Sequence, residues 1–350
     1  MKNPLLYLLS LFTTLFLYQC NRAPEPPIPE PEPTPTPYVI EIPQGFPDMI
    51  IPDNNPMTEE GIALGRKLFY DPILSADNTQ SCGSCHAQEH GFTDNLKAFS
   101  VGIDGIEGTR NSMPIFNAGW SASFFWDGRE PTLEAQALKP VTNPIEMHNT
   151  WPAAVASLQA HPEYPDLFKA AFETDTITKD LAAKAIAQFE RTIISANSLY
   201  DQVGLDGLSP AAKRGFDIFY TERGDCFHCH GTKLFTDNDF HNNGLEVLSP
   251  DIGYGEITGL DSDFFKFKTP SLRNIEFTAP YMHDGRFQTL EEVINHYSEG
   301  LVFSQTIDPL MKNVGQGGVQ LTADEKQDLI AFLKALSDTS FTNNPNYSQP

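Results

Sequence analysis

Two pentapeptides constrain this chain more than anything else in it: CGSCH at 82–86 and CFHCH at 226–230, both of the form C-x-x-C-H. Two thiols at this spacing can add to the two vinyl groups of one porphyrin, and the histidine directly behind them turns its imidazole to the iron. Cys82, Cys85, Cys226 and Cys229 thus read as the attachment points of two covalently held haem c groups, with His86 and His230 as iron ligands. Zinc is the competing use of such residues. Two copies, each with its histidine immediately after the cysteine and both in a chain with an export signal, favour haem over zinc or a disulfide.

That signal is MKNPLLYLLSLFTTLFLYQC, residues 1–20: one lysine, then an apolar run too short for a stable membrane span. Cys20 is the cysteine left over after the two pairs, and it stands where bacterial lipoproteins carry their acylated residue, although Gln19 departs from the small residue usual before it. Residues 21–40 are rich in proline (APEPPIPEPEPTPTP) and read as an extended linker with nothing to pack. Together they predict a body on the periplasmic side of a bacterial envelope, anchored to the membrane through lipidated Cys20. A net charge of −23, from 46 acidic and 23 basic side chains, excludes nucleic acid as a partner and favours a cationic protein.

The folded part is long enough for two cores. TEEGIALGRKLFYDP (58–72) and SPAAKRGFDIFYTERG (209–224) are related segments ahead of the two haem motifs, with Gly65 and Gly215 each four residues before a phenylalanine. Leu181, Ala185, Phe189 and Ile193 mark one amphipathic helix, and Leu329, Phe332, Leu333 and Leu336 another, the latter opened by a Thr322/Glu325 capping box. The expected fold is mainly α, with two cytochrome c-like haem domains at 41–200 and 201–340.

Beyond the haem motifs, GTRNSMPIFNAGW, FFWDGREPTLEAQALKPVTNPIEM, FKTPSLRNIEFTAPYMHDG and TLEEVINHYSEG make the chain resemble the bacterial di-haem cytochrome c peroxidases and their relative MauG from about residue 50 to 338. The resemblance implies a peroxidatic N-terminal haem, an electron-transfer C-terminal haem, and a calcium ion and a tryptophan between them. It maps the bridging tryptophan onto Trp126 and the polar pair of the peroxide site onto Gln136 and Glu146. Glu146 would move a proton between peroxide oxygens and Gln136 would orient the bound molecule. Calcium would be held by Asn111 with Thr278 and Pro280, an oxygen-only set suited to a hard cation.

Three positions depart from the pattern or divide it. Many di-haem peroxidases block the first haem with a loop histidine; here Ile103 stands near that place, and the nearby His90 is expected to pack or face solvent. As distal ligand of the second haem the resemblance offers methionine or, in MauG, tyrosine; it maps Tyr297 there, with Met282, His283 and His296 as chemical competitors. MauG's surface tryptophan before its second motif is replaced by Gly224. The leading expectation is a peroxidase that reduces hydrogen peroxide with electrons from a donor such as a small cationic cytochrome c. A MauG-like oxidase of a protein or small-molecule target and a non-catalytic di-haem electron carrier are the alternatives.

Overall fold

Helices in this protein pair where a glycine lets two backbones touch. The computed structural model describes residues 34–94 and 96–350, so the signal segment, Cys20 and most of the proline-rich stretch lie outside the described residues. Helix α1 (Glu59–Tyr70) starts at Thr58, whose side chain accepts from the Gly61 amide. It crosses α3 (Lys179–Thr192) at Gly65, where a Cβ would overlap the Ala185 carbonyl. The second half repeats the device. Helix α4 (Pro210–Phe219), capped by Ser209, crosses α6 (Ala323–Lys334) at Gly215, where a Cβ would overlap the Asp328 carbonyl. The Thr322/Glu325 capping box expected at the start of α6 is formed in both directions. Each crossing carries an aromatic pair, Phe69 with Phe189 at 5.4 Å and Phe219 with Phe332 at 5.2 Å between ring centroids.

Gly65→Ala is therefore expected to cost about 1–3 kcal/mol of stability through overpacking. Gly315, with no atom near its missing Cβ, is the control; Gly315→Ala should stay within about 0.5 kcal/mol. Denaturant midpoints measure both, and equal midpoints would mean that the crossing is looser than described.

The duplication extends further than the sequence reading took it. Asn117 and Asn274, both at φ 56°, open matching 3₁₀ turns, Ala118–Trp120 and Ile275–Phe277. Matching bridges follow, Phe124 with Glu130 and Tyr281 with Phe287. Then come two short helices, α2 (Leu133–Ala137), capped by Thr132, and α5 (Leu290–Asn295), capped by Thr289. The copies cross-pair at the centre: the Asn111 amide donates to the His283 carbonyl at 2.7 Å, and the Lys268 amide to the Trp126 carbonyl at 2.8 Å. Trp126 and His283 are thus counterparts in the repeat.

Strand content is slight, an antiparallel pair of β1 (Phe240–His241) and β2 (Phe267–Lys268), so the molecule is mainly helical as expected. One buried cluster gathers Leu64 to Ile186 and another Leu208 to Leu336, both inside one compact unit of Thr34–Pro350. Among the described residues no helix is long and apolar enough to cross a membrane.

Two ends depart from expectation. The last residues of the proline-rich stretch are docked: the Tyr38 amide donates to the Met57 carbonyl and the Glu59 amide to Thr36, each at 2.9 Å. Backbone pairing with the open first turn of α1 gives these residues the partners their composition lacks. At the other end, the chain beyond Asp338 leaves the second core and lies on the first. Phe341, 2% exposed, packs on Phe92 and Phe116, and Arg66 donates to the Ser348 and Pro345 carbonyls.

Candidate functional site: two cavities and a shared wall

In each motif the histidine is aimed by the chain that follows it. The His86 Nδ1 lies 2.9 Å from the Phe92 carbonyl oxygen, and the His230 Nδ1 lies 2.8 Å from that of Phe235. A ring that donates from Nδ1 to a carbonyl leaves the Nε2 lone pair for a metal. The carbonyls point inward because Phe92 and Phe235 adopt φ of 59° and 53°, an uncommon conformation for so bulky a residue that only tight packing holds. Burial also lowers the basicity of both imidazoles, which favours the neutral form a metal requires. Cys82, Cys85, Cys226 and Cys229 are all free thiols, not disulfides.

The first motif opens into a cavity of about 770 Å³ lined by Cys82, Cys85, His86, Trp126, Gln136 and Glu146 among others. That volume lies in the range of cofactor pockets, about 300–1,000 Å³. With two thiols and an aimed imidazole, the residues fit a covalently attached haem. Helix α2 presents Gln136, and the turn after the next short helix, Lys139–Thr142, presents Glu146. Burial raises the Glu146 carboxyl above its ordinary value, against the opposing pull of an Asn143 amide donating at 2.6 Å and of Arg129.

His86 is the sole imidazole among the described lining residues. Ile103, at the position expected for a blocking group, is half-buried beside the cavity and not on its wall; Val101 and Gly102 line it instead. The Ile103 amide donates to the Glu146 carbonyl at 3.0 Å, and Asp104 meets His148 at 2.5 Å, so this loop is tied to the segment bearing Glu146. His90 is absent from both cavity walls.

The second cavity, about 210 Å³, is lined by Cys226, Cys229, His230, Met282, His283 and Tyr297 among others. Its two thiols and aimed imidazole repeat the donor set of the first cavity and fit a second attached haem. Tyr297 sits on a π-helical turn, His296–Gly300, that continues α5. Asn243 donates to the Tyr297 hydroxyl at 3.0 Å and reaches the Met282 sulfur at 3.4 Å, so both distal candidates face one amide. Burial pushes the Tyr297 phenol up to about 12. Of the competing imidazoles, His296 is engaged by its Nε2 with the Asn243 carbonyl, and His283 stacks flat on Phe267 at 3.7 Å.

Trp126, Asn111 and Lys268 line both cavities. The Trp126 indole donates to the Asn111 carbonyl at 2.9 Å. Asn111, Thr278 and Pro280 all border the second cavity. The Asn111 amide nitrogen is taken up by the Lys97 and Ala98 carbonyls, which leaves its oxygen to point elsewhere, and among the described residues nothing donates to the Thr278 or Pro280 carbonyl. Unpartnered oxygens of this kind are the ligand type a hard cation takes.

Two residues of these walls escaped the sequence reading. Lys268 is 4% exposed, its ammonium donates only to Ser121 and the Ser123 carbonyl, and burial lowers it to about 8. Glu190, on α3, faces the first cavity with no hydrogen-bond partner on Oε2. Neither lies in a spacing pattern that signals a site, because each is brought there by tertiary packing.

A family model described as di-haem cytochrome c peroxidase matches residues 59–209. The methylamine utilization protein MauG of Methylorubrum extorquens is 38% identical over 81% of this chain and 80% of its own length. Cytochrome c551 peroxidase of Nitrosomonas europaea is 33% identical, over 82% of each chain. Among solved structures, a MauG-like protein associated with microbial copper homeostasis superposes with a TM-score of 0.83 at 38% identity, over 89% of this chain and 99% of that one.

Proposed function

Since this chain belongs to the di-haem cytochrome c peroxidase family, which includes MauG, we propose that it reduces hydrogen peroxide in the first cavity with electrons from an external donor. The observation that carries this reading is the convergence of Gln136 and Glu146 on the cavity of His86, with no second imidazole in its described wall. An electron carrier needs no such pair beside its iron.

Bound haems supply the redox chemistry, one site for peroxide and one as an electron store. The residues do the rest. Glu146, kept basic enough by burial to accept a proton, takes it from one peroxide oxygen and returns it to the other. Gln136 cannot titrate and orients the bound molecule. Trp126 offers an aromatic contact common to both cavities. Asn111, Thr278 and Pro280 would hold calcium against that wall, and Lys268 would supply a counter-charge for porphyrin carboxylates in its otherwise neutral surroundings. The donor is a small cationic protein, in keeping with the charge of −23. Export and lipid anchoring at Cys20 remain part of the reading.

Stopped-flow mixing of the fully oxidised protein with peroxide tests it. With Ile103 off the wall, reaction begins without prior reduction; peroxide that is inert until one electron has been added would overturn the proposal. For the second haem, Tyr297→Phe is expected to change the absorption spectrum of that haem alone, and Met282→Leu to leave it unchanged. The reverse pattern assigns Met282 as the ligand.

Oxidation of a protein target, as a MauG-like reading implies, has Tyr297 in its favour. Gly224 counts against a MauG-like exit: its backbone is packed against Ile218 so closely that even a Cβ would meet the Ile218 carbonyl at 2.5 Å.

A further inference from the structure

The first cavity holds a second carboxyl that the peroxide chemistry above does not use. Glu190 is 3% exposed, and its Oε2 has no hydrogen-bond partner, yet it lines the cavity together with Ile186 one turn earlier on α3. A buried carboxyl oxygen without a partner makes the charged form costly, which raises the pH at which the group ionises. Of the attachment residues, it is the Cys82 thiol that Glu190 acts on electrostatically. A porphyrin attached through Cys82 would present a vinyl-derived carbon there, which offers no polar group to satisfy it.

The charged and titratable groups around Glu190 are few. From its own helix comes Arg191, whose guanidinium is turned to Glu134 of α2 at 2.7 Å; these two act on Glu190 in opposite senses. The first motif brings Cys82, which loses its acidic proton on attachment. Glu146 shares the cavity. From α1 the residues buried against α3 are Gly61, Leu64, Gly65, Leu68 and Phe69, none of them ionisable. Desolvation dominates, and the carboxyl is pushed up to about 8, into the physiological range.

We propose that Glu190 is the redox-linked proton site of the first haem: when that site gains an electron, the Glu190 carboxylate takes a proton from solvent, and it gives the proton back on oxidation. The balance is one electron from the donor and one proton from water per event. Peroxide reduction to two waters consumes two electrons and two protons, so a proton stored beside the electron serves the reaction already proposed. Glu190 is a positioning group for charge. Nothing here requires it to touch peroxide, which is the task of Glu146.

The inference rests on the first cavity holding a haem, and potentiometric titration of the haem-loaded protein at several pH values tests both separately. In the wild type the midpoint potential of the first haem falls with rising pH across the range where Glu190 ionises. Glu190→Gln is expected to flatten that dependence, matching the wild type at low pH and lying above it at high pH, because the variant never acquires the negative charge. Glu190→Met, which carries no proton and keeps the side-chain length, gives the same flat line if the amide variant folds poorly. Two haem waves whose slope survives Glu190→Gln overturn the role of Glu190 alone. A missing first wave overturns the site and the role together.

Discussion

Glu146→Gln is expected to lower the turnover of hydrogen peroxide by about 10²–10⁴-fold, the usual contribution of a positioned acid–base group. Glutamine keeps the size of the side chain and can still meet the Asn143 amide, so the fold and both haem spectra should be retained. What it loses is the ability to hold a proton for the length of one bond cleavage. The wild-type profile carries a second signature. Because burial raises the Glu146 carboxyl, and only the carboxylate can accept the peroxide proton, activity is lost as pH falls through a value above the ordinary glutamate range. Steady-state rates against pH check both statements, and a Gln variant within a factor of a few of wild type would remove Glu146 from the mechanism.

Phe341→Ala should cost about 3–5 kcal/mol, the range for emptying a buried aromatic site. The phenyl ring is 5.3 Å from Phe92 and 5.4 Å from Phe116 by centroids, and its carbonyl accepts from buried Gln88, two residues after His86. The loss is not expected to be even. Phe92 supplies the carbonyl that aims His86, so the spectrum of the first haem should broaden or shift before that of the second, whose counterpart Phe235 is backed by Phe219 and Phe332 of its own half. Denaturant unfolding followed at absorption bands assigned to each haem would reveal this. Coincident loss at both haems, with no early change at the first, would mean that the tail only adds bulk.

Much of this molecule can be read in the chain because its chemistry is written locally. A C-x-x-C-H run brings its own histidine to its own thiols, and Gly65 and Gly215 announce two close helix crossings by their shared spacing to Phe69 and Phe219. Trp126, Gln136 and Glu146 came from the resemblance, and all three lie on the wall of the first cavity. What stayed hidden depends on contacts between distant segments. Lys268 and Glu190 look like ordinary surface charges until packing strips them of water. Ile103 is aligned with a ligand position, but it is not on the wall, and its amide is bonded to the Glu146 carbonyl. Tyr297 and Met282 stay paired as candidates because one amide, that of Asn243, reaches both.

The C-terminal strap also sets an order of events. Translation runs from N- to C-terminus, so Phe341, Tyr347 and Ser348 are made some 250 residues after the first motif that they cover. Until then, Phe92 and Gln88 lack their cover, Arg66 and Tyr70 lack the carbonyls they bond, and the first motif sits in an unfinished core. The core beside Cys82 is therefore completed only when this distant tail docks. The first half is made before the segment that seals it.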